Sequence, residues 1–171
     1  MIFKQALIVC KCWSKPLVHT NSLILVIQKK LFMSDTSTNE NRFSIPFRQI
    51  LSKDFLTEEE KKKLREGQKI KAPLIDPELQ SHDISLVQRN NPDAYVLRNT
   101  WKNVYTSNEL KKDDVVQLWS FRARQQACDD ASSSGTNERE LCFALVLVQK
   151  ARMKKQLHET FYYYFSCVHI L

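Results

Sequence analysis

From residue 115 to 121 the chain reads Val-Val-Gln-Leu-Trp-Ser-Phe, and bulky groups fall on both sides of the period-two repeat. Val115, Gln117, Trp119 and Phe121 share one side, while Val116, Leu118 and Ser120 share the other. A strand that is apolar on both sides is buried on both faces or curved into a barrel. Residues 141–148, LCFALVLV, read as its return strand. The polar stretch 123–140 between them contains Ser132-Ser133-Ser134-Gly135 and is expected as a mobile hairpin loop. Tyr95-Val96-Leu97 is a further short strand. Trp101, Val104 and Tyr105 then recur at i, i+3, i+4, the apolar face of a helix that Asn99 would cap and Asn108 would stop in a left-handed conformation. Lys112-Asp113-Asp114 is turn chemistry leading into the strand at 115.

The upstream pattern supplies more elements of the same kind. Phe43-Ser44-Ile45-Pro46-Phe47 begins the ordered unit, and Gln49-Ile50-Leu51 reads as a strand followed by a turn at Ser52-Lys53-Asp54. Thr57 and Glu60 have capping-box spacing and predict a helix over 58–66. Its acids come first and Lys61, Lys62, Lys63 and Arg65 follow, which suits the helix dipole. Glu58 with Lys62 and Glu59 with Lys63 are spaced as favourable pairs, and Gly67 is the stop. Ile70, Ala72 and Leu74 alternate with polar neighbours in a strand that Pro73 assigns to an edge or a bulge. A loop over 78–83, a short strand over 84–87 and a tight polar loop over 88–93 complete the pattern.

Length and charge limit what such a chain does. At 171 residues there is room for one domain with tails. Only two glycines are present, so Asn and Asp must occupy the left-handed turn positions. The net charge of +7 invites a nucleic-acid partner, but it is unevenly placed. Residues 1–33 hold five lysines and no acid; residues 34–150 hold 18 basic and 18 acidic side chains; residues 151–171 hold three basic and one acidic. The central unit is thus neutral. Residues 1–41 read as a tail and linker with Met33 as an alternative start, and 151–171 as a second tail whose basic cluster, Arg152, Lys154 and Lys155, resembles a weak nuclear-import patch. No apolar run approaches the roughly 20 residues of a membrane span. Five cysteines without C-x-x-C and four scattered histidines give no zinc spacing and no disulfide framework, and Cys142 is expected in the core. No cofactor is expected, and no glycine-rich phosphate loop, G-x-S-x-G or H-E-x-x-H motif suggests an enzyme.

Several of these words, in order, resemble the plant B3 DNA-binding domain family. They are Tyr95-Val96-Leu97, Trp101, Leu110-Lys111-Lys112-Asp113-Asp114, Val116-Gln117-Leu118-Trp119-Ser120-Phe121 and LCFAL. FSIPFRQILSKDFLTEEE and KAPLIDPEL look like a divergent plant subgroup with a compressed middle region. The resemblance covers roughly residues 42 to 150. It implies a mainly β fold, an open seven-stranded DNA-binding pseudobarrel with two short α-helices, that holds double-stranded DNA in a concave face. It also implies a transcription regulator in the nucleus, working with other regulators and without a membrane. Two arms would grip the major groove, one following the first strand and one in the loop at Gln88, Arg89, Asn90 and Asn91.

That second arm has base-reading chemistry, since Arg pairs bidentately with guanine and Asn or Gln with adenine. It is also a good turn on backbone grounds. The first arm is carried over to 52–57, where Lys53 is the cation, and Lys61, Lys63, Arg65, Lys102 and Asn103 are phosphate candidates. The neutral centre and Glu58-Glu59-Glu60 favour a second reading, a B3 fold kept as a protein-interaction module with little DNA affinity.

Overall fold

The computed structural model describes residues 23–90, 93–124 and 139–151. Seven strands form one sheet: β1 (Ile24–Lys30), β2 (Phe43–Pro46), β3 (Ile70–Ile75), β4 (Ser81–Asn90), β5 (Asp93–Asn99), β6 (Val115–Arg124) and β7 (Arg139–Gln149). Two helices join them, α1 (Glu58–Arg65) and α2 (Trp101–Ser107). The strand order is β1-β6-β7-β3-β4-β5-β2, and every neighbouring pair is antiparallel except β3 with β7. The sheet curls until its two edges approach. Leu51 N–H donates to the Val26 carbonyl at 2.9 Å, and the Lys29 ammonium donates to the Ser44 carbonyl at 3.0 Å. The mainly β, seven-stranded, open-barrel class with two short helices is therefore the observed one.

The curl explains the two-sided strand. Val116 and Leu118 of β6 face the main core with Leu141, Phe143 and Leu145 of β7. Phe121 and Ala123 face the other way and join Cys142 and Ala144 in a second, smaller cluster, with Trp119 and Ile75 beside it. Cys142 is fully buried there, and burial pushes its thiol up to about 12. The ends of the main core are closed by aromatic contacts. Phe47 and Phe55 pack on Tyr95 at 4.7 and 5.8 Å between ring centres, and Phe43 packs on Trp101 at 4.8 Å. Trp101 carries its indole N–H to the Asp35 carbonyl at 2.7 Å, so the ring is buried with its one donor satisfied.

Both helices form for local reasons. Thr57 accepts the Glu60 N–H at 3.2 Å, and the Glu60 carboxylate accepts the Thr57 N–H at 2.9 Å, the reciprocal capping box expected of that spacing. Gly67 ends α1 at φ +81°. The charge pair on α1 is Glu58 with Lys61 at 2.8 Å, three residues apart, in place of the expected i, i+4 pairs. In α2, Trp101, Val104 and Tyr105 are buried as their spacing predicts, but Thr100 is the residue before the first turn. Asn99 instead ends β5 with φ +76° and donates its side-chain amide to Ser85. Asn108 has φ −88°, and Glu109 takes the left-handed position at φ +48°. With few glycines available, Asn41, Asn99 and Asp113 do adopt positive φ, joined by Leu79 and Glu109.

Other expectations are corrected by pairing. Gln49-Ile50-Leu51 is not a strand; Phe47–Gln49 is a 3-10 turn. Residues 81–83 belong to β4, because Asp83 pairs with Pro73 and Ser81 with Ile75. Pro73 lies inside the sheet order, and its missing N–H is tolerated because β3 meets β7 only through Leu74 and Ile75. The largest correction concerns 23–41. A tail was expected there, yet β1 pairs along β6, and Val26, Ile27 and Leu31 are fully buried. A chain started at Met33 would lack β1 and those three core side chains. The expected loop between β6 and β7 and the basic cluster after Lys150 lie outside the described residues.

Candidate nucleic-acid interface

The surface that could take a polymer is built by register. Opposed residues of an antiparallel pair point to the same side of the sheet. Lys71 lies opposite Ser85, and Ser85 opposite Arg98. Val87 lies opposite Val96, and Val96 opposite Ser44; Arg89 lies opposite Ala94, and Ala94 opposite Pro46. These three rows face away from the core, which takes the alternate residues Ile84, Leu86, Tyr95, Leu97, Phe43 and Ile45. The outer face has a floor of small and β-branched side chains, Ser85, Ala94 and Val96, all buried. Lys71 and Arg98 stand exposed at its sides. Two strand spacings separate them, about 10 Å, and Arg89 lies about 13 Å further along the strands.

Neither Lys71 nor Arg98 has an ion-pair partner among the described residues. Arg89 is half-buried and makes interactions of its own. One acid, Asp83, follows in the next row beyond Lys71 and Ser85. Arg98 and Lys71 were not singled out from the sequence because only the register aligns them.

The residues singled out by sequence are distributed differently from expectation. Gln88, Arg89 and Asn90 are strand rather than loop, the last three residues of β4. Alternation therefore splits them: Arg89 faces out, while Gln88 and Asn90 share the opposite side, their side chains joined at 3.4 Å. Asn91 lies outside the described residues. Lys53 is exposed in the 3-10 turn Lys53–Phe55 that leads into α1. Lys61 is tied to Glu58, which holds the Glu58 carboxyl below its usual range, while Lys63 and Arg65 are exposed. Lys102 and Asn103 are exposed on α2, beside Trp101 and thus near the end of the barrel where β2 begins. These cations lie on three elements, the turn at Lys53–Phe55, α1 and α2.

Glu58-Glu59-Glu60 is resolved residue by residue. Glu60 turns inward, and its carboxylate takes both terminal nitrogens of Arg122 at 2.7 and 2.6 Å. Burial works against its charge, but Arg122 and the Thr57 cap outweigh it and hold its carboxyl below the usual range. Of the three acids, only Glu59 is exposed with no ion pair among the described residues.

The first strand of the sheet is β1, so the segment that follows it is 31–42 rather than 52–57. It is fixed at several points. Asp35 accepts the N–H groups of Phe32 and Ser44 at 2.9 and 3.1 Å and pairs with the Lys29 ammonium at 2.8 Å. Asn41 donates to the Asn99 carbonyl at 2.7 Å and accepts the Lys102 N–H at 2.6 Å. This segment enters β2 at Phe43, opposite Leu97, whereas the β4–β5 hairpin turns beside Pro46, opposite Ala94. The two connections therefore lie at opposite ends of β2, their paired positions Leu97 and Ala94 about 10 Å apart along β5.

A second polar cluster is structural. Asp76 is buried and accepts the Glu78 and Gln80 N–H groups, the Asn108 amide and His82 Nε2, all within 2.8–2.9 Å. It holds the β3–β4 turn, including Leu79 at φ +65°, against the end of α2. No helix among the described residues is long and apolar enough to cross a membrane.

Known proteins are similar to this chain in sequence. It is 36% identical over 131 residues to the putative B3 domain-containing protein At2g27410 of Arabidopsis thaliana, spanning 71% of this chain and 46% of that protein. It is 35% identical over 133 residues to the B3 domain-containing protein At2g32645 of the same plant, spanning 71% and 63%. The chain spans about half the length of the curated relatives it matches. Among solved structures it is similar to the Arabidopsis FUS3-DNA complex, with a TM-score of 0.40 and 17% identity over 75% of this chain and 99% of that one. A family model described as B3 domain-containing protein At2g31720-like matches residues 11–149, most of the chain, and the chain belongs to that plant B3 domain family.

Proposed function

We propose that the chain binds double-stranded DNA across the outer face of β3, β4, β5 and β2, and acts in the nucleus as a transcription regulator. The observation that carries this reading is the placement of Lys71, Arg98 and Arg89 on one face of a domain whose charges as a whole balance. Lys71 and Arg98 would position the phosphates, and Arg89, the outward-facing residue near the end of β4, would read base edges. Lys53, Lys63 and Lys102 lie outside that face and would touch only flanking phosphates. Family membership supports DNA as the partner, and the inward turn of Glu60 removes one of the repulsive groups. Other transcription regulators would be met through surfaces this face leaves open.

Few cations on the face mean a shallow salt dependence. With about three phosphates neutralised, log K should fall with log salt at a slope of about −3. The test titrates the full chain against a labelled pool of random duplexes at two salt concentrations, beside Lys71→Ala/Arg98→Ala. Binding that weakens with salt, and a smaller slope in the double variant, support the reading. A folded chain that binds no duplex at low salt overturns it and leaves the protein-interaction module, which the equal numbers of acids and bases in 34–150 favour.

A further inference from the structure

One apolar cluster lies on the outer side of the sheet, away from the main core. Phe121 and Ala123 alternate with the core residues of β6 and point outward, Phe121 opposite Cys142 and Trp119 opposite Ala144. Leu25 of β1 and Ile75 of β3 continue the row of Trp119 and Ala144 on either side. This outer cluster is withdrawn from water. Phe121 and Ala123 are each 5% exposed, Ala144 3% and Cys142 0%. A strand side chain stands nearly perpendicular to its sheet, so neighbours in the same sheet cannot enclose a phenylalanine; a second layer about 10 Å above the strands does. Among the described residues no element supplies that layer. The apolar partners of the cluster come from β3, β6 and β7, while α1 packs chiefly against β3 and β4 and α2 against β5.

The connectivity selects the cover. Ile24 is paired with Ser120, so the chain that precedes β1 arrives beside Phe121, the largest member of the cluster. The chain that follows β7 leaves from the other end, where Gln149 is paired with Val115, about 20 Å along β6 from Phe121. A short return closes at a lower entropic cost than a long one. Residues 11–22 read KCWSKPLVHTNS, with Cys12, Trp13, Leu17 and Val18 as apolar side chains and no acid. The family match begins at residue 11 and stops at 149, so it takes in this segment and leaves out the C-terminal tail.

We propose that residues 11–22 turn back before β1 and cover the outer side of β6 and β7, with Trp13 seated on Phe121, Cys142 and Ala144. The segment is then a layer of the domain, and the apolar side of the β6–β7 hairpin is an internal contact, closed to other proteins. The cations of the proposed DNA face lie on β3, β4 and β5 and are independent of it.

The test uses the full chain with Cys142 as its sole cysteine, through Cys10→Ser, Cys12→Ser, Cys128→Ser and Cys167→Ser. A photo-reactive benzophenone side chain replaces Trp13 or, in a second protein, Tyr163, and the linked peptides are identified by mass spectrometry. Linkage from position 13 to residues 115–124 or 139–149 of the same chain is expected, with none from position 163. In parallel, a small thiol reagent should modify Cys142 slowly in the parent, about ten-fold faster or more in Trp13→Ala, and slowly again in Trp13→Phe. Linkage to the hairpin from position 163 gives the cover to the C-terminal tail, and linkage only between two chains gives it to a second copy; either result overturns the proposal. No linkage from position 13 overturns it, as does a Cys142 rate unchanged by Trp13→Ala in a chain that stays folded. If Trp13→Ala does not fold, the linkage from position 13 decides by itself.

Discussion

The β4–β5 hairpin and the β1–β2 connection flank the same face of the sheet, but different forces hold them. The hairpin is local. Gln88, Arg89 and Asn90 continue a ladder whose partners, Tyr95, Ala94 and Asp93, lie only a few residues away, and its side chains alternate because strand side chains must. The β1–β2 connection is held from inside, by a carboxylate that reaches β1, β2 and its own backbone while the neighbouring carbonyl takes the Trp101 indole. One region is organised by register and the other by a buried ion pair. The difference teaches where each is vulnerable: the hairpin can change its side chains cheaply, whereas the connection depends on two residues that never meet the solvent.

Removing Asp35 is the most severe way to break that contrast. Asp35→Ala should destabilise the fold by about 3–5 kcal/mol in urea denaturation, because it leaves the Lys29 ammonium and two N–H groups buried and unpaired. Lys29→Met combined with Asp35→Asn should cost less than the two single changes summed, since each single change strands a charge that the double change removes. Additive costs would mean that the pair does not act as one unit.

Next in size comes the polar cluster at Asp76 together with the Glu60 cap. Asp76 is buried, which opposes its charge, but the Asn108 amide, His82 and the Gln80 N–H outweigh this and hold its carboxyl below the usual range. Both carboxyls are depressed in the folded state, so their contribution is present above the unfolded values near 3.8 and 4.5 and is lost as pH falls through the lower folded values. Stability should therefore stay level from about pH 7 to pH 5 as far as these groups are concerned, then fall steadily in more acid solution. Asp76→Asn should lower the plateau by about 1–3 kcal/mol and make the acid decline shallower. A decline as steep as that of wild type would remove Asp76 from the account.

The smallest structural effect, and the sharpest for function, belongs to the outer face. Arg98→Ala should change stability by no more than about 0.5 kcal/mol, while reducing the slope of log K against log salt by about 0.9. Arg89→Ala should relax base preference at one position, worth about 1–3 kcal/mol of discrimination, read by competition between duplexes. If Arg98→Ala relaxed base preference and Arg89→Ala did not, the division between face and hairpin would be reversed.

Much of the fold was legible where the signal is local. The capping box of Thr57 and Glu60, the stripe of Trp101, Val104 and Tyr105, the turn at Asp113 and the two-sided strand at 115–121 all follow from short-range spacing. The candidate site was legible only in part. Arg89 was identified, but its separation from Gln88 and Asn90 depends on β4 extending three residues further than the turn residues suggest. Lys71 and Arg98 are 27 positions apart in sequence and meet only through Ser85.

The sequence by itself determined the two helices, the capping box of α1, the β6–β7 hairpin and membership of a known pattern, because those depend on residues that are near neighbours along the chain. Only the tertiary structure decided that 24–30 is a strand of the sheet, that Asp35 and Lys29 are core residues, and that Glu60 turns to Arg122. A charged side chain reads as surface in any local window; its partners here lie 6 and 62 residues away, and long-range burial alone makes the pairing worth forming.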